Sequence, residues 1–153
     1  MTQGPAPVAG GLKLRAEDEA DIAVFAACLQ SARTRPLDMT YLRAQRRFVL
    51  LFDRYCWEAS APELRETGGL PPSIVRCGMH FDGVTAVATQ GLDAALRDQG
   101  LDLLTIICRR QAAGAFEVHL LFAGGADLRL GVECIDAGLA DLEASRSADP
   151  GPD

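Results

Sequence analysis

Apolar residues alternate with polar ones at Phe116, Val118, Leu120 and Phe122, and again at Leu128, Leu130, Val132 and Cys134. A period of two predicts two half-buried antiparallel strands joined by a tight turn. Setting apolar against apolar pairs Phe122 with Leu128, Leu120 with Leu130 and Val118 with Val132. Gly124-Gly125-Ala126 is left as the loop, where a glycine supplies the left-handed residue. A short helix is expected to follow from Asp136, with Ile135, Leu139 and Leu142 as its apolar stripe.

Nearer the start, Leu12–Arg15 reads as a short strand and the next segment as a helix. Asp18 can cap that helix, Asp21 sits three residues on, and Glu19 places negative charge at the positive end of the dipole. Ile22, Phe25, Ala26 and Leu29 recur at helical spacing as one buried stripe, and Pro36 closes the exit. Strands are expected over Met39–Arg43 and Arg47–Glu58. The second is apolar on both faces (Phe48, Leu50 and Phe52; Val49 and Leu51), which suits a mid-sheet strand covered on both sides. Residues 59–72 form a long loop, its Pro pair incompatible with a strand. Asp82-Gly83 fits a two-residue hairpin turn pairing Phe81 with Val84, Met79 with Ala86 and Cys77 with Ala88. Residues 93–100 read as a turn or short helix and Leu101–Arg109 as a further strand. The expected fold is α+β: a curved, mainly antiparallel sheet, a half-barrel or roll of about six to eight strands, with an N-terminal covering helix and a short C-terminal helix. Residues 12–143 are expected to make one domain between disordered tails at 1–11 and 144–153.

Composition narrows the function. Hydrophobic residues are 48% and charged residues 24% of the 153, an ordinary globular balance. A net charge of −6 argues against nucleic-acid binding, which needs a basic face. Of the fifteen basic residues only Lys13 is a lysine. No apolar run approaches the ~20 residues that span a bilayer, and the first residues lack the pattern of a secretory signal. The five cysteines (Cys28, Cys56, Cys77, Cys108, Cys134) are odd in number, widely spaced and set in apolar segments, as free thiols in a reducing cytoplasm would be.

Four segments carry a family resemblance: LKL at 12–14, RRFVLLFDRYCWE at 46–58, HFDGVTAV at 80–87 and FAGGADLRLGVECI at 122–135. They are similar to the bacterial family called domain of unknown function 2948, over about residues 12 to 143. The resemblance implies a small bacterial cytosolic protein. It implies no activity, and no residue carries over as catalytic.

The candidate chemistry is sparse. His80 shares a strand face with Arg76, Gly78 and Asp82, with Thr85 expected across from it, so His80 and Asp82 are the candidates for a general base or a metal contact. The competing reading is a half-exposed strand histidine beside a turn aspartate. Cys77 and His80 point to opposite faces and share no chemistry. His119, flanked by Glu117 and near Arg129 and Glu133, is a metal candidate only if Asp127 and Glu133 also converge; otherwise it belongs to a solvated charged face. Arg43, Arg46 and Arg47 form a basic turn able to hold an anionic patch, or merely a solvated tip. Tyr55 and Trp57 fall on one face and either anchor a partner or close the core edge. No nucleophile elbow or phosphate-binding glycine loop occurs. A non-catalytic interaction or accessory module is therefore expected, without cofactor, partnered by another protein or by a second copy, and not by nucleic acid or membrane. The alternative is a small hydrolase or metal-dependent enzyme using His80 and Asp82.

Overall fold

A computed structural model describes residues 11–55, 73–92, 96–142 and 146–147. Within them the strands are β1 (Lys13–Ala16), β2 (Arg33–Thr34), β3 (Met39–Leu42), β4 (Arg47–Tyr55), β5 (Ser73–Phe81), β6 (Val84–Gln90), β7 (Leu101–Arg110), β8 (Phe116–Phe122), β9 (Asp127–Val132), β10 (Ala137–Asp141) and β11 (Arg146–Ser147). The single helix among the described residues is α1 (Glu19–Cys28). The strands form one open antiparallel sheet in the order β1-β10-β5-β4-β2-β7-β8-β9-β6, with β3 beside β4 and β11 beside β5. Register shifts in β7 against β8 and in β6 against β9 bend the ribbon, because an extra residue on one strand sharpens the local twist. The roll thus turns one face inward.

That face is the core. Phe48, Leu50 and Phe52 of β4, Cys77, Met79 and Phe81 of β5, Val118, Leu120 and Phe122 of β8, and Leu128, Leu130 and Val132 of β9 all belong to one buried cluster. Each large side chain so buried stabilises the fold by roughly 1.5–3 kcal/mol. Ile22 and Phe25 of α1 and Leu29 at its C-cap join it, as their spacing predicts. Asp18 caps the helix, accepting from the Asp21 N–H at 2.8 Å, while Asp21 accepts from the Glu17 N–H at 2.9 Å. The helix ends at Cys28, well before Pro36, and Ser31 at φ 62° turns the chain toward β2. Pro36 instead opens a short 3-10 turn, Pro36–Asp38.

Three expectations need correction. Asp82-Gly83 does not close a hairpin: β5 is already flanked by β4 and β10, so β6 crosses to the other half of the roll and pairs with β9. Only Gly83 has positive φ (69°), and the corner is pinned by Asp82 N–H to Asp136 O at 2.9 Å and Val84 N–H to Arg46 O at 2.8 Å. The C-terminal helix is strand β10, in which Ala137, Leu139 and Asp141 face inward and pair between β1 and β5. In the β8–β9 hairpin the register is two residues off the expected one, with Leu120 opposite Leu128 and Val118 opposite Leu130. The shift keeps the same face inward and leaves Gly124 (φ 86°) and Gly125 (φ 92°) to turn the chain. The 59–72 loop, Trp57 and most of both expected tails lie outside the described residues, although Arg146 and Ser147 pair with Ile74 and Ser73 of β5.

Candidate functional site

The outward residues of β4, β5, β10 and β1 line up across the strands in registered rows. One row is Val49, His80, Gly138 and Arg15; the next is Leu51, Gly78, Ala140 and Lys13. The second row has almost no relief, because glycine and alanine occupy its middle. It forms the floor of an open pocket of about 500 Å³ that is also lined by Thr40, Leu42, Arg47 and Leu142. His80 stands along one side of this trough. Leu142 stands on the other, so close to Gly78 that a Cβ there would lie 3.2 Å from Leu142 Cδ1. Among the described residues the lining holds three basic side chains (Lys13, Arg15, Arg47) and no carboxylate, serine or cysteine.

His80 owes its position to a missing side chain. A Cβ on Gly138 would meet the His80 ring at 2.5 Å, so the imidazole lies against bare backbone on the neighbouring strand. Burial lowers the His80 pKa below its ordinary value, Asp82 pulling the other way less strongly. His80 Nε2 is 3.6 Å from Asp82 Oδ2, an ion-pair distance rather than a hydrogen bond. Asp82 is engaged elsewhere: Arg47 donates through Nε to Oδ1 at 2.6 Å and through Nη2 to Oδ2 at 3.3 Å. Arg15 pairs with Asp136. Lys13 makes no ion pair among the described residues and stands exposed at the end of the trough.

A family model matches residues 12–153 and is described as a protein of unknown function (DUF2948). The chain belongs to that family. No curated protein and no solved structure matches it. The DUF2948 description assigns no activity.

Elsewhere in this DUF2948 chain the candidate residues are separated. Across from His80 stand Val49 and Gly138, not Thr85, because β5 and β6 do not pair. His119 lies on β8, buried between Ile107 and Arg129 on the neighbouring strands and hydrogen-bonded to Glu117. It is no part of the His80 pocket. Glu133, its supposed fellow ligand, pairs with Arg46 at the opposite corner. Among the described residues no three His, Cys, Asp or Glu side chains are grouped to hold a metal ion. In the basic turn, Arg43 lies over the Tyr41 ring at 5.7 Å, while Arg46 and Arg47 pair within the chain. Tyr55, half-buried at the end of β4, lies opposite Ile74. No helix among the described residues is long and apolar enough to cross a membrane.

Two features escaped the sequence reading. Arg54 and Asp141 form a buried two-point pair, Nε to Oδ1 and Nη2 to Oδ2, both at 2.9 Å. The signal was present: Arg54 continues the inward phase of Phe48, Leu50 and Phe52. The trough also had a signal, since Gly78 within a strand marks a place kept open or closely approached. Asp38 is a further buried polar residue, accepting from Arg35 at 2.9 Å and from Arg76 at 3.1 Å, with Arg76 also reaching Asp53 at 3.4 Å. These guanidinium and carboxylate groups satisfy one another and tie β4, β5 and the Pro36 turn together.

Proposed function

We propose that the chain is a non-catalytic binding module that works through the outer-face trough. The observation that carries this reading is the lining itself. A largely apolar channel is edged by basic groups and, among the described residues, has no serine or cysteine beside its one histidine. Thr40 supplies the only hydroxyl among the described lining residues, and it is two strands from His80, about 10 Å at ordinary strand spacing. Pockets of this size and apolar character are the usual binding sites of folded domains. Hydrolysis is the second reading, favoured by a histidine kept uncharged at neutral pH beside an aspartate.

One experiment separates them. A mixed fragment library is screened by amide chemical-shift mapping, alongside ester, amide and phosphoester turnover, in the wild type, Gly78→Val and His80→Gln. Binding module: hits perturb residues of the trough, Gly78→Val abolishes them, and turnover stays at the buffer level. Turnover that disappears in His80→Gln would replace this reading with the hydrolase.

A further inference from the structure

Resting on that reading, we infer that the trough takes a medium-chain carboxylic acid, its carboxylate on Lys13 and its acyl chain along Ala140, Gly78 and Leu51. Three observations carry the assignment. Shape comes first: the low row is a straight channel, and from Lys13 on β1 to Leu51 on β4 it crosses three strand spacings, about 14 Å. His80 and Leu142 flank the row, and Leu142 Cδ1 lies 3.2 Å from where a Cβ of Gly78 would stand, so the channel is narrow and suits an unbranched, extended body better than a globular one.

Charge comes second. Among the described residues the lining carries three basic groups and no acid within a chain of net charge −6, so this face runs against the overall balance. Two of the three are already matched, Arg47 by Asp82 and Arg15 by Asp136. Lys13 alone has no carboxylate partner among the described residues, and it is the only lysine in the chain. One free cation at one end of an apolar channel complements one anionic head on an apolar body. Polarity is the third. Beyond Lys13 the described floor residues Ala140, Gly78 and Leu51 offer no polar side chain, so an unbranched hydrocarbon body matches them better than a polar one.

The test is calorimetric titration of the whole chain with octanoate, octanol and octylammonium at low ionic strength, in the wild type, Lys13→Met and Gly78→Val. The expected order is octanoate first, octanol weaker and octylammonium absent. Lys13→Met weakens octanoate about fivefold, the upper range for an ion pair open to water, and leaves octanol unchanged. Gly78→Val removes both, with an unchanged amide spectrum away from the trough. Octanol binding as tightly as octanoate, or octanoate indifferent to Lys13→Met, overturns the carboxylate assignment while the pocket stands as a binding site. If none of the three probes binds, the ligand class is wrong. The broader reading then falls only if the fragment hits also ignore Gly78→Val.

Discussion

At the scale of single residues the outer face is governed by what Gly138 lacks. A methyl there collides with the His80 ring, so Gly138→Ala is expected to cost about 1–3 kcal/mol, the range for overpacking. His80→Ala in the same chain should recover most of that loss, and denaturant midpoints of the four chains check the coupling. Recovery would fail if the cost came from the strand backbone instead. His80 also ties stability to pH. Its folded pKa lies below the unfolded value of 6.5, so the unfolded chain takes up the proton more readily. The stabilising contribution is complete above pH 6.5 and is lost as pH falls through the folded value. Unfolding curves at pH 7.5 and 5.5 should therefore show a larger drop for wild type than for His80→Gln. The cysteines divide in the same way by surroundings: burial pushes the Cys77 thiol up to about 12, whereas Cys134 is exposed. Alkylation followed by peptide mapping should label Cys134 in the native protein and Cys77 only after unfolding.

Among the elements, β4 and β10 are tied together over the intervening β5 by Arg54 and Asp141, whose side chains are only 2% and 6% exposed. Asp141 also accepts from the Leu12 N–H at 2.8 Å, so the same carboxylate anchors the start of β1. Removing one partner strands a buried charge, and Arg54→Met is expected to cost about 3–5 kcal/mol by chemical unfolding. The joint change Arg54→Met/Asp141→Leu should lose less than the single one. A joint loss equal to the sum of the separate losses would show that the two groups act independently. Elements with strong periodicity were legible in the sequence: α1 from Ile22, Phe25 and Leu29, β4 from its doubly apolar run, and β8 and β9 from strict alternation. Ile135–Leu142 was misread because its three large apolar residues fit a helical stripe as well as a strand. Gly138 and the inward Asp141, both poor for a helix, were the discriminating residues. The hairpin at Asp82-Gly83 failed for another reason. Turn chemistry is local, while the choice of partner depended on whether β5 still had a free edge.

For the molecule as a whole, a curved antiparallel sheet with one helix followed from the patterning, but strand order did not. The inward-phase residues of every strand suit any neighbour in a common core, so no single residue specifies that β5 lies between β4 and β10. The pocket was illegible for the same reason: Lys13, Leu51, Gly78 and Ala140 are unrelated in sequence until the register puts them in one row. The resulting sheet has unequal edges. β4 and β5 pair with strands on both sides, whereas β6 pairs among the described strands with β9 alone. Hydrogen exchange should be slowest in β4 and β5, and fast at alternate amides of β6. Equal protection along β6 would mean that a second copy covers that edge.

Leu12 and Asp141 are 129 residues apart, yet they meet at one end of the trough. Such separations make folding slow, since loop closure precedes any gain from the contact. They also give the protein a form of timing. During synthesis β1 emerges first and has no partner until β10 leaves the ribosome, so no nascent intermediate carries a finished Lys13–Ala140 row. Occupancy of the trough would therefore mark a polypeptide translated past β10, and a ligand would favour such chains over shorter ones.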